Sequence, residues 1–178
     1  MPEPTSAWAR CITQACRVAA ITGSLAFVLL VLMSLVSIVG RKLFAAPIPG
    51  DVELLQMCSA CAAACFFAWC HLSGGDVKVD FFTARLSPAW NHRLDALGSL
   101  MVALVGALLA WRSWAGAMTV RESMEVTMIL DLPLWWGQVL MVPGLLLLTA
   151  AGGLRMGWHW SESRRTAAAR HHHQGVTP

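Results

Sequence analysis

Long runs of uncharged residues constrain this chain more than any other feature. Residues 18–40 form an apolar run of 23 residues, and residues 132–154 form a second uncharged run of the same length. About 20 such residues suffice for a helix to cross the hydrocarbon core of a bilayer. Only 13% of the 178 residues are charged, against about 25% in a typical soluble domain, so lipid is the expected solvent. The sequence therefore predicts an all-α integral membrane protein.

A second span follows a polar turn, residues 44–51, that contains two prolines and a glycine. Proline blocks helix continuation and glycine permits a tight turn, so a new helix is expected to start there. Residues 52–72 carry one acidic group, Glu53, in the first turn, where a carboxylate favours the helix dipole. Asp51 is the expected N-cap of this helix.

The third span is bounded less clearly, because Asp95 and Arg112 enclose only 16 uncharged residues. An extension to Val120 makes it long enough to cross and places Arg112 inside the helix, where its long side chain can snorkel to the interface. The fourth span, residues 132–154, should bend at Pro143. The small residues of the third span that are expected to allow close helix contact are Gly98, Gly106 and Ala110.

The connections between spans differ in character. Residues 77–94 mix apolar and charged side chains and are too charged to cross, so we expect an amphipathic segment along the bilayer surface. The alternative is a solvated loop. The connection 121–131 could form a short helix. The predicted organisation is an N-terminal segment 1–17, a four-helix membrane domain 18–160 and a disordered tail 161–178.

Basic residues predict the orientation, because cytoplasmic loops carry an excess of lysine and arginine. With the N-terminus inside, the inner side holds nine basic residues and the outer side four. The inner ones are Arg10, Arg17, Lys78, Arg85, Arg93, Arg155, Arg164, Arg165 and Arg170, and the outer ones are Arg41, Lys42, Arg112 and Arg121. Both termini are therefore expected in the cytoplasm. The tryptophans expected to mark the two interfaces are Trp135 and Trp136 on one side and Trp158 and Trp160 on the other.

Four of the six cysteines lie in the second span. Cys58, Cys61 and Cys65 have i, i+3, i+7 spacing, which puts them on one helix face among alanines, as in a close helix–helix contact. The alternative is a four-helix thiol–quinone oxidoreductase, since Cys58 and Cys61 form a CxxC pair. Such an enzyme needs a second cysteine pair in an outer loop, and residues 119–131 contain none. The packing interpretation is favoured, and an unrelated structural membrane subunit remains a further alternative.

Catalytic and ligand-binding signals do not stand out. No nucleophile motif, phosphate-binding loop or paired metal-ligand spacing is evident, so we expect no enzyme activity, no cofactor and no metal site. His71, His92 and His159 lie at or beyond span ends, where histidines are usually solvated, and the tail histidines 171–173 are not expected to form a site. Basic residues do not cluster with aromatic residues, which argues against a nucleic-acid partner.

Charged groups on the predicted outer side are the candidate functional residues. Their charges nearly balance, with four basic and five acidic side chains, and charges at span ends need partners or water. We hypothesise that Arg41 and Glu53 pair across the first hairpin, with solvation of each group as the alternative. The candidates for a docking surface are Arg41, Glu53, Arg112, Arg121, Glu122 and Asp131.

Three blocks of sequence carry a family resemblance. The first runs from Arg41 to Leu54, the second is Gly75–Asp80, and the third is Leu132–Trp135 leading to Val142–Gly144. In order and spacing they resemble the small membrane subunit, of the DctQ type, of tripartite ATP-independent periplasmic (TRAP) transporters. The resemblance covers residues 21–158.

This resemblance implies a non-catalytic scaffold subunit of the bacterial inner membrane. It would bind a larger membrane subunit that carries the solute, commonly an organic acid, in symport with an ion, usually sodium. A periplasmic binding protein would capture that solute. The outer loops, residues 41–53 and 121–131, would help to form its docking surface, since complementary charges steer partners. The chain departs from the family at Asp76, where histidine is common, and near Gln138, where an aromatic residue is common.

Overall fold

Four long α-helices make up this protein. The computed structural model describes residues 7–45, 48–76 and 88–174. The helices are α1 (Ala7–Phe44), α2 (Asp51–Ser73), α3 (Pro88–Glu122) and α4 (Trp135–Gln174). Each of them is long and apolar enough to cross a membrane. The prediction of an all-α protein with four membrane-spanning helices is therefore confirmed.

Helices α1 and α4 extend well beyond the uncharged runs that predict them. Their 38 and 40 residues correspond to lengths of about 57 and 60 Å, roughly twice the hydrocarbon thickness. Residues 7–17 and 158–174 contain no proline or glycine, so nothing local stops either helix where its hydropathy falls. Helix α4 therefore continues to Gln174, past the predicted end of the fourth span, because polarity ends the span but not the helix.

Glycines in the left-handed conformation bound α2 at both ends. Gly50 (φ 74°) is the N-cap, so Asp51 is the first helical residue and the prediction of Asp51 as N-cap is wrong. Gly74 (φ 78°) ends the helix, and its N–H donates to the carbonyl of His71. The left-handed φ favours glycine at position 50, and a Cβ there would also overlap the Leu130 side chain.

The predicted interfacial segment falls largely on residues 77–87, which lie outside the described part of the chain. Its remaining residues, 88–94, belong to the first two turns of α3. Pro88 opens that helix, where its fixed φ suits the first turn and its missing N–H removes no helical bond.

The helices form an open arrangement around α4. Within the described residues, α4 packs against each of the other three helices, whereas α3 packs against α4 alone. The backbones of α2 and α3 do not approach within 8 Å of each other at their Cα atoms. The spatial order is therefore α1, α2, α4, α3, with the start of α1 also reaching α4. This arrangement leaves much of the apolar surface of α1 and α3 exposed.

Small residues line the contact between α2 and α4. A Cβ at Gly144 would lie 2.8 Å from the Cβ of Ala64 and 3.0 Å from the backbone nitrogen of Cys65. The thiol of Cys61 donates to the carbonyl of Leu140 across the same contact, at 3.2 Å. Cys65 also contributes to the contact of α2 with α1, since a Cβ at Gly23 would lie 3.3 Å from the Cβ of Cys65. Cys61 and Cys65 thus contribute to helix packing as the sequence predicts, and all six cysteines are free thiols.

A second seam joins α3 to α4. A Cβ at Gly152 would lie 2.9 Å from the Cβ of Ala103, and one at Gly106 would lie 3.0 Å from the hydroxyl of Thr149. Ala110 is also buried on this side, in a cluster with Leu145 of α4. The predicted close packing of Gly106 and Ala110 is confirmed. Gly98, in contrast, faces open space, so its predicted role is wrong within this chain.

Candidate functional site

The two ends of the molecule carry different sets of polar groups. The hairpin end contains the α1–α2 connection (residues 37–53) and the α3–α4 connection (residues 121–135). At the opposite end, the terminal end, α1 and α3 begin and α2 and α4 end. Cys16 of α1 packs against Ala68 in the second half of α2 and against Leu148 and Ala151 near the middle of α4.

Ser37 and Asp51 organise the α1–α2 connection. Ser37 is fully buried, and its hydroxyl donates to Asp51 Oδ2 at 2.5 Å and accepts the backbone N–H of Ile48 at 3.3 Å. Arg41, one turn further along α1, lies 3.8 Å from the same carboxylate and is 60% exposed. The hypothesis that Arg41 pairs with Glu53 is therefore wrong. Ser37 and Arg41 share one face of α1 (i, i+4), and that face meets the first residue of α2.

Glu53 binds the other connection. Its two carboxylate oxygens accept the backbone N–H groups of Ile129 at 2.9 Å and of Leu130 at 3.1 Å. Two donors on one carboxylate are charge-assisted hydrogen bonds with a defined orientation. Because the Leu130 side chain also packs against Gly50, the start of α2 anchors the α3–α4 connection from two directions.

The α3–α4 connection is a folded loop and not a short helix, so that prediction is wrong. Val126 and Pro133 form an antiparallel bridge, and Thr127 exchanges two hydrogen bonds with the backbone of Leu132, at 2.9 and 3.1 Å. Asp131 adopts a positive φ of 51°. Since Pro133 takes part in the bridge, α4 begins at Trp135, three residues after the predicted start of the fourth span at residue 132.

Apolar side chains dominate the exposed part of this loop, a feature that the charge-based sequence analysis missed. We call it the loop tip, and its exposed apolar residues are Met124, Val126, Met128 and Ile129. Met128 is 98% exposed, although burial of such a side chain stabilises by about 1.5–3 kcal/mol. Glu53 anchors the backbone at Ile129 through a hydrogen bond, so the exposed loop tip has a fixed backbone position relative to the start of α2.

The remaining predicted outer residues, Arg112, Arg121, Glu122 and Asp131, do not bind one another in the described part of the chain. The guanidinium carbon of Arg121 lies 5.5 Å from the ring centroid of Trp135, a cation–π distance. Arg112, Glu122 and Asp131 are exposed and make no polar side-chain contact within the described residues. The predicted outer groups thus divide into two that brace the fold, Glu53 and Asp51, and several that face solvent.

The predicted tryptophan anchors lie at the two ends of α4. Trp135 and Trp136 form an edge-to-face pair with centroids 5.9 Å apart, and Trp136 is 54% exposed. Trp160 is 53% exposed and Trp158 is 37% exposed near the other end of the helix. From Trp136 to Trp158 the helix rises about 33 Å, close to the hydrocarbon thickness of a bilayer. This spacing supports their predicted role as interface anchors.

At the terminal end, His71, Asp76 and Arg155 form a polar cluster across α2 and α4. His71 is only 4% exposed, and its Nδ1 lies 2.7 Å from Asp76 Oδ2. Arg155 donates to the same carboxylate oxygen at 3.2 Å and also to the carbonyl of His71 at the end of α2. The expectation of a solvated His71 is wrong. Asp76 is therefore a residue with two defined partners, His71 and Arg155.

A second cluster joins α3 and α4 at the same end. His92 and His159 approach within 3.5 Å at their Nδ1 atoms, and His159 Nδ1 lies 3.7 Å from Asp95 Oδ2. His159 is 4% exposed, so the expectation of a solvated histidine is wrong here also. The ligand atoms of all three residues lie within 4.8 Å of one another, a grouping that could hold a metal ion. The signal in the sequence was the i, i+3 spacing of His92 and Asp95, but nothing local pointed to His159.

Together, the four spans and the two differently built ends define a multi-pass membrane protein. The model of the family described as tripartite ATP-independent periplasmic transporters, DctQ component, matches residues 30–156. The chain belongs to this family, so it is a transporter component and not an enzyme. Searches of curated proteins and of solved structures found no match. The oxidoreductase alternative is set aside because the family is not enzymatic and because Cys61 lies in the contact with Leu140.

Proposed function

We propose that this chain is the small scaffold subunit of a TRAP-type secondary transporter. In this proposal it pairs with a large membrane subunit and a periplasmic binding protein for the ion-coupled uptake of a small organic acid. The observation that carries the pairing is the low internal burial of the helices. Only 17–28% of the residues in the most apolar stretch of each helix are buried within the chain. The rest of that surface is available to lipid and to a partner subunit.

We assign the hairpin end to the periplasm and both termini to the cytoplasm of a bacterial inner membrane. The excess of basic residues on the terminal side supports this orientation. The membrane domain then comprises residues 18–160, with the helical extensions of α1 and α4 reaching into the cytoplasm. A reporter that is active only outside the cytoplasm should stay silent when fused after Pro178 and should be active when inserted beside Met128. The reverse pattern would overturn the orientation.

We assign the docking surface to the hairpin end. The loop tip offers exposed apolar side chains. Arg121, Glu122 and Asp131 flank it in sequence with both signs of charge, and Arg41 is exposed at the same end. An apolar centre with a polar rim is the usual anatomy of a protein interface. Because Glu53 holds the loop backbone in place, little conformational entropy would be lost when a partner docks.

Coexpression with the large subunit and the binding protein tests this assignment. Met128→Glu and the charge-reversed pair R121E/E122R should reduce uptake, and they should weaken the retention of at least one partner during co-purification. Trp8→Glu is the matched control, because it places the same charge on an exposed apolar residue at the opposite end, outside the predicted spans. If both hairpin-end variants leave uptake and retention unchanged, the loop tip is not a docking surface. If the chain retains no large subunit under any condition, the subunit assignment itself fails.

A further inference from the structure

We propose that His92, Asp95 and His159 form a binding site for a divalent transition metal, of which Zn²⁺ is the best-fitting member, and that the bound metal joins the start of α3 to the end of α4. Nothing in the transport role requires such a site. The inference rests on the geometry of three side chains that the fold brings together at the terminal end.

The distances fit a tetrahedral metal. Zn–N and Zn–O bonds of about 2.0–2.2 Å place neighbouring ligand atoms of a tetrahedron about 3.3–3.6 Å apart. His92 Nδ1 and His159 Nδ1 are 3.5 Å apart, and His159 Nδ1 and Asp95 Oδ2 are 3.7 Å apart. Two of the three distances between ligand atoms are therefore already close to those of a tetrahedral zinc site. The third edge, between His92 and Asp95, is within 4.8 Å, and both residues occupy one face of α3 at i, i+3.

The ligand types select the class of metal. Two imidazole nitrogens and one carboxylate oxygen are typical of zinc and other first-row transition ions, whereas Mg²⁺ and Ca²⁺ prefer sites built from oxygen alone. Three protein ligands leave a fourth position for water, as in many open zinc sites. The carboxylate of Asp95 also offsets part of the charge of the ion.

The surroundings hold one ligand firmly and leave the others accessible. His159 is enclosed, with a side chain only 5% exposed, and its ring packs edge-to-face against Trp158 at a centroid distance of 4.7 Å. Asp95 is 30% exposed and His92 is partly exposed, so an ion can enter from their side. A buried imidazole whose ring is oriented by packing is a preorganised ligand.

The position of the site gives the metal a structural role. Within the described residues α3 packs against α4 alone, so the start of α3 has support from one neighbour. An ion bound by two residues of α3 and one of α4 would cross-link the two helices beyond their apolar seam. Removal of the metal ion should increase hydrogen exchange in the first turns of α3 and leave exchange at the hairpin end unchanged.

The tail histidines dictate the design of the experiment, because residues 171–173 offer a competing zinc site. The full chain is purified in detergent without a polyhistidine tag, in a background that carries H171A, H172A and H173A. Zinc content is then measured after equilibrium dialysis against buffered Zn²⁺. We expect one Zn²⁺ per chain in this background. Co²⁺ substitution should give a spectrum without thiolate charge-transfer bands, which separates this site from the soft cysteine ligands.

Variants of the accessible ligands avoid a folding defect at the buried histidine. H92A and D95N should each weaken zinc binding by about tenfold or more, since even outer-shell changes cost about 10–100-fold in metal affinity. Asn91→Ala is the matched control, one residue away and outside the three-residue cluster, and should retain full binding. Hydrogen exchange at the start of α3 should slow on zinc addition in the background chain and not in H92A.

Three outcomes would overturn the proposal. The first is that the chain without the tail histidines binds no zinc. The second is a cobalt spectrum that shows thiolate charge-transfer bands. The third is equal zinc affinity in the H92A, D95N and N91A variants. Each variant is first shown to elute as the parent chain does in size-exclusion chromatography, so that loss of binding reports on the site.

Discussion

Replacement of Gly144 by alanine tests the close contact between α4 and α2. The added methyl group would lie 2.8 Å from the Cβ of Ala64, 2.9 Å from its backbone carbon and 3.0 Å from the nitrogen of Cys65. None of these atoms can rotate away, because two belong to the backbone and the third is a Cβ. The two helices must therefore separate or shift along their axes.

Two opposing effects set the magnitude. Overpacking of a well-filled contact costs about 1–3 kcal/mol, and the upper half of that range is expected because backbone atoms are involved. The exchange of glycine for alanine in a helix interior stabilises by about 1 kcal/mol. Gly144→Ala should therefore lower the free energy of unfolding by about 1–2 kcal/mol. Gly153→Ala is the matched control, since it makes the same change in the same helix with no neighbour within 4 Å, and it should be neutral or stabilising.

The assay is unfolding of the purified chain in mixed micelles, followed by the fluorescence of its nine tryptophans. We expect the midpoint of Gly144→Ala to fall below that of Gly153→Ala. Addition of Ala64→Gly should rescue Gly144→Ala in part, because it removes the Cβ contact but leaves the two backbone contacts. Equal midpoints for the two alanine variants would refute the claim that α2 and α4 approach this closely.

Further outcomes follow from other contacts. Glu53→Ala should speed hydrogen exchange at the Leu130 amide, because that N–H loses its carboxylate acceptor. The control Glu122→Ala should leave this exchange rate unchanged. Equal exchange rates in the two variants would contradict the role of Glu53 in holding the loop. Arg155→Ala should lower the free energy of unfolding by about 1–3 kcal/mol, and the 36% exposure of the Asp76 side chain reduces the expected loss. Arg155→Lys should restore only part of the lost stability, because lysine lacks the planar guanidinium group. Replacement of all six cysteines by alanine should preserve solute uptake by the assembled transporter, and a loss of uptake with normal folding would revive a redox role.

The four spans were predictable because hydropathy is a local property of the sequence. Burial in lipid requires about 20 apolar residues in succession, and that requirement can be read along the chain without knowledge of any neighbour. The helix ends were less predictable for a related reason. Hydropathy marks the limits of the membrane span, whereas helix propensity marks the limits of the helix. The two differ by 11 residues at the start of α1 (18 against 7) and by 20 at the end of α4 (174 against 154).

The partners of the polar groups were not predictable from sequence position. Arg41 and Glu53 both lie beside the first connection, but the carboxylate near Arg41 is that of Asp51, and Glu53 accepts from the loop before α4. Asp51 and Glu53 are chemically alike, and because they are two residues apart they point to different sides of α2. Which of them meets α1 depends on the rotation of α2 about its axis, and that rotation is set by the small residues facing α1 and α4.

The sequence by itself determined that this is a membrane protein, how many helices span the bilayer, and to which family it belongs, because each of these follows from local sequence patterns. Only the tertiary structure decided that α4 lies at the centre, that the loop tip projects on a braced support, and that His92, Asp95 and His159 meet. These features depend on atoms far apart in the chain that close helix packing brings within a few ångströms. A pattern on one helix shows which face packs, but its partner is set by the shape of the other helices.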